Sequence, residues 1–136
     1  ALDALVTEVR TQPAHHRKLM ALEQISRIGS RPARSAVEAL AGSADDATAL
    51  AAISTMSRED QSGFRTALED IVDDTDRSEA VRCAALGACL KLRKDDARSW
   101  SDVKGWVETR TRSDAALAAF ARSYAKSAWG SEVSDE

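Results

Sequence analysis

Phe64–Lys94 reads FRTALEDIVDDTDRSEAVRCAALGACLKLRK, and the periodicities inside it decide the fold. Phe64, Ala67, Leu68, Ile71 and Val72 fall at i, i+3, i+4, i+7 and i+8, the spacing of one helical face, with Arg65, Glu69 and Asp70 left to solvent. From Asp76 onward, Val81, Ala85, Cys89 and Leu92 make a second stripe, and Leu86 and Leu90 make another beside it. The stretch therefore reads as two helices folded back on each other, the second needing cover on two sides. One hairpin cannot provide that cover, so neighbouring hairpins are expected.

Working outward toward the N-terminus, Leu2, Leu5, Val6 and Val9 mark a short first helix over residues 2–10, and Thr11-Gln12-Pro13 ends it. The second helix runs to about Ile28 before Gly29. It is read with Leu19, Ala21, Leu22, Ile25 and Ile28 inward and Arg17, Lys18, Glu23 and Arg27 outward. A third covers about Pro32–Leu40, and a fourth, capped by Ser43 or Asp45, carries Ala49, Leu50, Ala52, Ile53 and Met56. The fifth helix is read as starting near Ser57-Arg58-Glu59-Asp60, with Ser57 as its cap. Toward the C-terminus, Trp100, Val103, Trp106 and Val107 belong to a seventh helix, in which Gly105 either weakens the helix or marks a close contact. Ser113 or Asp114 caps an eighth, with Leu117, Phe120, Ala121 and Tyr124 on its stripe. Residues 130–136 read as an acidic, mobile tail.

Eight helices make four hairpins, at about 1–29, 31–57, 58–94 and 97–129. The second helices align: Ala85-Leu86 matches Ala21-Leu22, Ala52-Ile53 and Ala119-Phe120, a period of about 33 residues. Composition agrees with such a stack. Of 136 residues, 26 are Ala, two are Pro and 4% are aromatic, which favours long helices packed through small side chains. No run approaches a membrane span, and no basic segment leads into an apolar one as in a signal peptide. Because the chain opens on Ala1, either an initiator methionine has been removed or the segment belongs to a longer array.

The Asp-x5-Arg spacing from Asp76 to Arg82, followed by AALGACLKL, resembles the HEAT repeat. The resemblance implies an all-α, right-handed α-solenoid in which a turn aspartate and a second-helix arginine brace adjacent repeats. At the register of Arg82 the other hairpins carry Lys18, Ala49 and Ala116, and at that of Asp76 they carry Gln12, Ser43 and Arg110, so only the third has the whole pair.

Nothing in the chain carries a catalytic signature. His15-His16 lacks an acidic partner at a metal-ligand spacing, and no His-Glu pair of the kind that holds iron in some HEAT-like enzymes is present. Cys83 and Cys89 lie six apart on one helix, on different sides of it, so they cannot pair and read as small core thiols of a reducing, cytoplasmic compartment. A net charge of −3 rules out a general attraction to phosphate backbones, leaving only local basic patches. One such patch is Lys91, Arg93, Lys94 and Arg98, set against acidic turns at Asp45, Asp46, Asp73, Asp74 and Asp76. Another places Trp100, Trp106 and Trp129 near Arg98, Arg110, Arg112, Arg122 and Lys126, where Trp129 either closes the last layer or anchors a partner.

The leading expectation is a noncatalytic protein-binding scaffold that uses the second-helix face, with Lys18, Glu79, Arg82, Arg122 and Lys126 directed outward and Trp129 as an anchor. No enzyme activity, cofactor or metal is expected. The second expectation is a nucleic-acid module similar to HEAT-like DNA repair glycosylases, held by Arg93, Lys94 and Arg98. The third, a bilin lyase-like subunit, follows only from the occurrence of such proteins among short HEAT-like chains.

Overall fold

A computed structural model describes residues 2–58, 62–96 and 98–133. Among the described residues there are eight α-helices and no strand. They are α1 (Leu2–Thr11), α2 (His15–Ile28), α3 (Arg31–Ala41), α4 (Asp46–Arg58), α5 (Arg65–Asp73), α6 (Glu79–Asp95), α7 (Trp100–Thr111) and α8 (Ala115–Trp129). Single 3-10 turns occupy Ser62–Phe64 and Gly130–Glu132. The expected helix start at Ser57-Arg58-Glu59-Asp60 falls partly on residues 59–61, outside the described residues. Ser57 and Arg58 themselves complete α4.

Local chemistry sets most of these limits. Gly29 ends α2 with φ 67°, a left-handed conformation open to glycine, and its N–H returns to Ser26 O. Ser30 Oγ accepts from Ala33 N–H to start α3, whose first turn also takes Pro32, where a missing N–H costs no helical bond. Asp45 and Asp114 cap α4 and α8 by accepting from Thr48 N–H and Leu117 N–H. At α7, Asp102 Oδ2 accepts from both the N–H and the hydroxyl of Ser99. The start of α6 departs from the sequence reading. Asp74 Oδ1 accepts Asp76 N–H and holds that aspartate in the preceding turn, and the cap is Ser78, whose Oγ accepts from Val81 N–H.

The chain divides into two compact units, residues 1–67 and 68–136, with the division inside α5. In the first unit α2 lies against α1, α3 and α4, and Val9, Leu22, Ile25, Val37, Leu40, Ile53 and Met56 fill the core. Ala49, Ala51 and Ala52 are fully buried, so α4 approaches its neighbours through small side chains. In the second unit α8 lies against α6 and α7, around Leu68, Val72, Leu86, Leu90, Val103, Leu117 and Ala125. The close contact here is at Gly87. A Cβ on that residue would sit 3.1 Å from the Phe120 ring, whereas one on Gly105 would meet nothing within 4 Å. Gly105 therefore marks no contact.

Two side chains face opposite to their sequence reading. Ile28 is 46% exposed, in the last turn of α2, whereas Ile25 one turn earlier is fully buried. Lys18 is 3% exposed, drawn inward by acceptors that sequence spacing does not reveal.

Candidate functional site

Those acceptors form the same brace in both units. Lys18 Nζ donates to Val9 O at 2.6 Å and to Thr48 Oγ1 at 3.1 Å, and the Thr48 hydroxyl donates in turn to Asp45 Oδ2 at 2.7 Å. Asp45 Oδ2 itself lies 4.0 Å from the ammonium. In the second unit Arg82 Nε donates to Val72 O at 2.9 Å and its Nη1 to Asp114 Oδ2 at 3.0 Å. Val9 and Val72 stand in the last turns of α1 and α5, where carbonyls have no helical donor, and Asp45 and Asp114 are the caps of α4 and α8. One cation on each second helix thus joins the end of the helix before it to the start of the fourth helix of its unit.

The resemblance to the HEAT repeat implied a brace from Asp76 to Arg82; the carboxylate that Arg82 meets is instead Asp114. Hydrogen bonds to charged groups contribute about 1.5–3 kcal/mol when formed, but burying the charge offsets much of that. The brace therefore fixes the register of one hairpin on the next more than it adds stability. The Thr48 hydroxyl bond, followed by weaker backbone bonds and the Lys18 charge, holds the Asp45 carboxyl below its ordinary pKa despite an opposing desolvation.

The aromatic and basic residues of the second unit are likewise internal partners. Arg93 is buried, donates through Nη2 to Glu69 Oε1 at 3.1 Å, and sets its guanidinium 4.0 Å from the centre of the Trp106 ring. Arg110 lies over the same ring at 4.5 Å, with Glu69 Oε2 at 3.8 Å and Asp73 Oδ1 at 3.4 Å. Two carboxylates beside two guanidinium groups let both cations share one indole. Trp129 is 4% exposed; its Nε1 donates to Arg98 O at 2.9 Å, and its ring stacks at a tilt on Trp100 with centroids 5.5 Å apart. Of the two roles expected of Trp129, the one it fills is closing the end of the core; it is not an exposed anchor. Lys94 Nζ covers its ring at 5.4 Å.

Of the residues singled out from sequence, Lys18, Arg82, Arg93 and Trp129 are therefore packed in the framework, while Glu79, Lys94, Arg98, Arg122 and Lys126 remain exposed. Lys94, Arg98 and Trp129 are brought together at the α6–α8 end of the second unit. Cys83, half-buried on α6, has its thiol pKa pushed up by burial and by the nearby Glu79 and Asp114 charges, against a smaller opposing effect of Arg82, which disfavours the thiolate a nucleophile needs. Among the described residues no group of three His, Cys, Asp or Glu side chains converges to hold a metal ion, and no helix is long and apolar enough to cross a membrane.

The apolar surface that stands open is on α2. Met20 at 57% and Ile28 at 46% are the large hydrophobic side chains exposed among the described residues. They lie eight positions apart with exposed Gln24 midway, so all three fall along one line of the helix. Sequence reasoning missed Met20 because it looked for the buried stripe and counted Ile28 within it; the i, i+4, i+8 series 20, 24, 28 was the available signal. Compared with known proteins, the chain matches no protein-family model, no curated protein and no solved structure.

Proposed function

We propose that this protein is a noncatalytic, cytoplasmic scaffold of HEAT-like hairpins in a right-handed stack, which binds another protein through the exposed face of its second helices. The observation that carries the reading is the Met20-Gln24-Ile28 line on α2. Two large apolar side chains held in water on a helix that already has a full core contact are poorly explained by folding. Methionine suits the task, since its flexible, polarisable thioether adapts to a partner's surface. The repeated brace supports the architecture, because it makes the contact between successive hairpins a matter of placed hydrogen bonds and leaves the solvent side of α2 uncommitted. The partner this face fits presents apolar side chains at helical or extended spacing, with a polar group opposite Gln24.

The test is site-specific photo-crosslinking. A photoreactive residue at position 20 is expected to give a discrete protein adduct that is lost when Ile28→Glu is added, while the same probe at exposed Ser35 gives none. Circular dichroism should be unchanged by either substitution, since both residues are exposed. Equal adducts from both positions, or adducts indifferent to Ile28→Glu, would overturn the reading.

A further inference from the structure

The open line on α2 carries charge at its two ends. Arg17 precedes Met20 by three positions, Arg31 follows Ile28 by three, and both are exposed. Neither guanidinium has an ion pair or hydrogen bond among the described residues. The single acid on α2 is Glu23, and its Oε1 already accepts from Arg27 Nη2 at 2.9 Å. Lys18 is enclosed in the brace. Arg17 and Arg31 are therefore uncompensated charges, one beyond each end of a line whose apolar members stand about 12 Å apart along the helix.

Folding does not account for either arginine. Arg17 lies in the first turn of α2 and Arg31 opens α3, positions where the helix dipole favours a carboxylate and disfavours a cation, and neither first turn holds an acid. Helices α1, α4, α6 and α7 follow the rule, with Asp3, Asp46, Glu79 and Asp102 in their first turns. The two arginines that break it bracket Met20 and Ile28, which are themselves left in water. We propose that the partner of this face is an amphipathic protein helix that carries carboxylates outside a pair of apolar side chains, its acids meeting Arg17 and Arg31 and its apolar residues meeting Met20 and Ile28. The proposal rests on the α2 reading above and adds the sign of the partner's charge. An anionic lipid surface fits less well: an interfacial helix buries a continuous apolar face, whereas here Gln24 stands between two apolar side chains.

The probe is a fluorescein-labelled, alanine-based helical peptide of about 20 residues with leucines at i, i+4 and i+8 and glutamates at i−3 and i+11; its twin carries lysines in place of the glutamates. In fluorescence anisotropy at low salt the glutamate peptide is expected to bind about tenfold more tightly than the lysine peptide, and the preference should shrink to within about twofold near 1 M salt. Arg17→Glu with Arg31→Glu should reverse the preference and leave thermal stability unchanged or raised, because both substitutions suit the helix dipole. Arg112→Glu with Arg122→Glu makes the same change of net charge on exposed residues of the second unit and should leave the preference intact. Met20→Ser with Ile28→Ser should abolish binding of the glutamate peptide. Equal binding of the two peptides, a preference untouched by the Arg17 and Arg31 substitutions, an equal loss from the Arg112 and Arg122 pair, or binding that survives the loss of Met20 and Ile28 overturns the proposal. So does a wild-type chain that binds neither peptide up to about 1 mM; in each case the crosslink at position 20 still decides the α2 reading by itself. Sedimentation with phosphatidylserine vesicles that is lost on Arg17→Glu with Arg31→Glu would overturn it too, assigning the face to a membrane surface.

Discussion

Lys18 shows what a single side chain contributes when its charge is enclosed. Its ammonium saturates the Val9 carbonyl and the Thr48 hydroxyl from a position 3% exposed. Lys18→Met keeps much of the packing volume but strands both oxygens, and the loss of a buried charged donor is expected to lower stability by about 1–3 kcal/mol. Urea denaturation measures it; a midpoint within error of the wild type would show that the brace contributes nothing. The comparison is Arg27→Met, whose 2.9 Å partner Glu23 is an exposed neighbour one turn away, and which should change stability by less than about 0.5 kcal/mol. The sequence held half of this result. Lys18 occupies the register of Arg82 when the hairpins are aligned, but Gln12 stands where the third hairpin has Asp76, and Lys18 was therefore read as facing outward. What periodicity could not supply was the direction of the side chain, because the acceptors are a carbonyl nine residues before it and a hydroxyl thirty after.

Among the helices, the two central glycines separate local preference from packing. Gly105 has nothing near its missing Cβ, so Gly105→Ala should stabilise α7 by about 0.5–1 kcal/mol, the ordinary helix preference for alanine. Gly87 lies against Phe120, which is itself held beside Tyr124 with ring centroids 6.3 Å apart. A branched side chain there cannot be accommodated without moving α8, so Gly87→Val is expected to cost about 1–3 kcal/mol and to cost less in a Phe120→Ala background. Thermal denaturation of the four variants reads both effects, and equal losses in the two backgrounds would remove Phe120 as the cause. Helix existence was legible in the chain because apolar spacing and cap residues act within a turn or two of themselves. That is why Gly29, Ser30 and Asp114 stand where their chemistry places them. The start of α6 was read three residues early, at Asp76, because the Asp74 turn holds Asp76 outside the helix and the cap falls to Ser78. The contact at Gly87 was illegible, since its partner lies on another helix 33 residues on.

At the scale of the molecule, the distribution of charge bears on the choice between the proposed protein partner and a nucleic acid. The net charge is −3, and several of the cations that make the sequence look locally basic face inward or share a carboxylate. Arg93 is committed to Glu69 and Trp106, Arg110 to Glu69 and Asp73, and Arg82 to Asp114. The basic run read from Arg93, Lys94 and Arg98 thus shrinks to two exposed cations, one of them resting on Trp129. Two phosphate contacts give a salt dependence of only about −0.9 per contact in log K against log salt, too shallow and too weak to hold a duplex at physiological ionic strength. A labelled DNA duplex titrated with the protein is therefore expected to show no retained complex near 0.15 M salt and, at low salt, a slope no steeper than about −2. Lys94→Glu with Arg98→Glu should abolish whatever low-salt binding there is, while Met20→Glu should leave it unchanged. A slope of about −5 or steeper would require more exposed cations in one strip than Lys94 and Arg98 supply, and would count against the proposed α2 face in favour of a basic one.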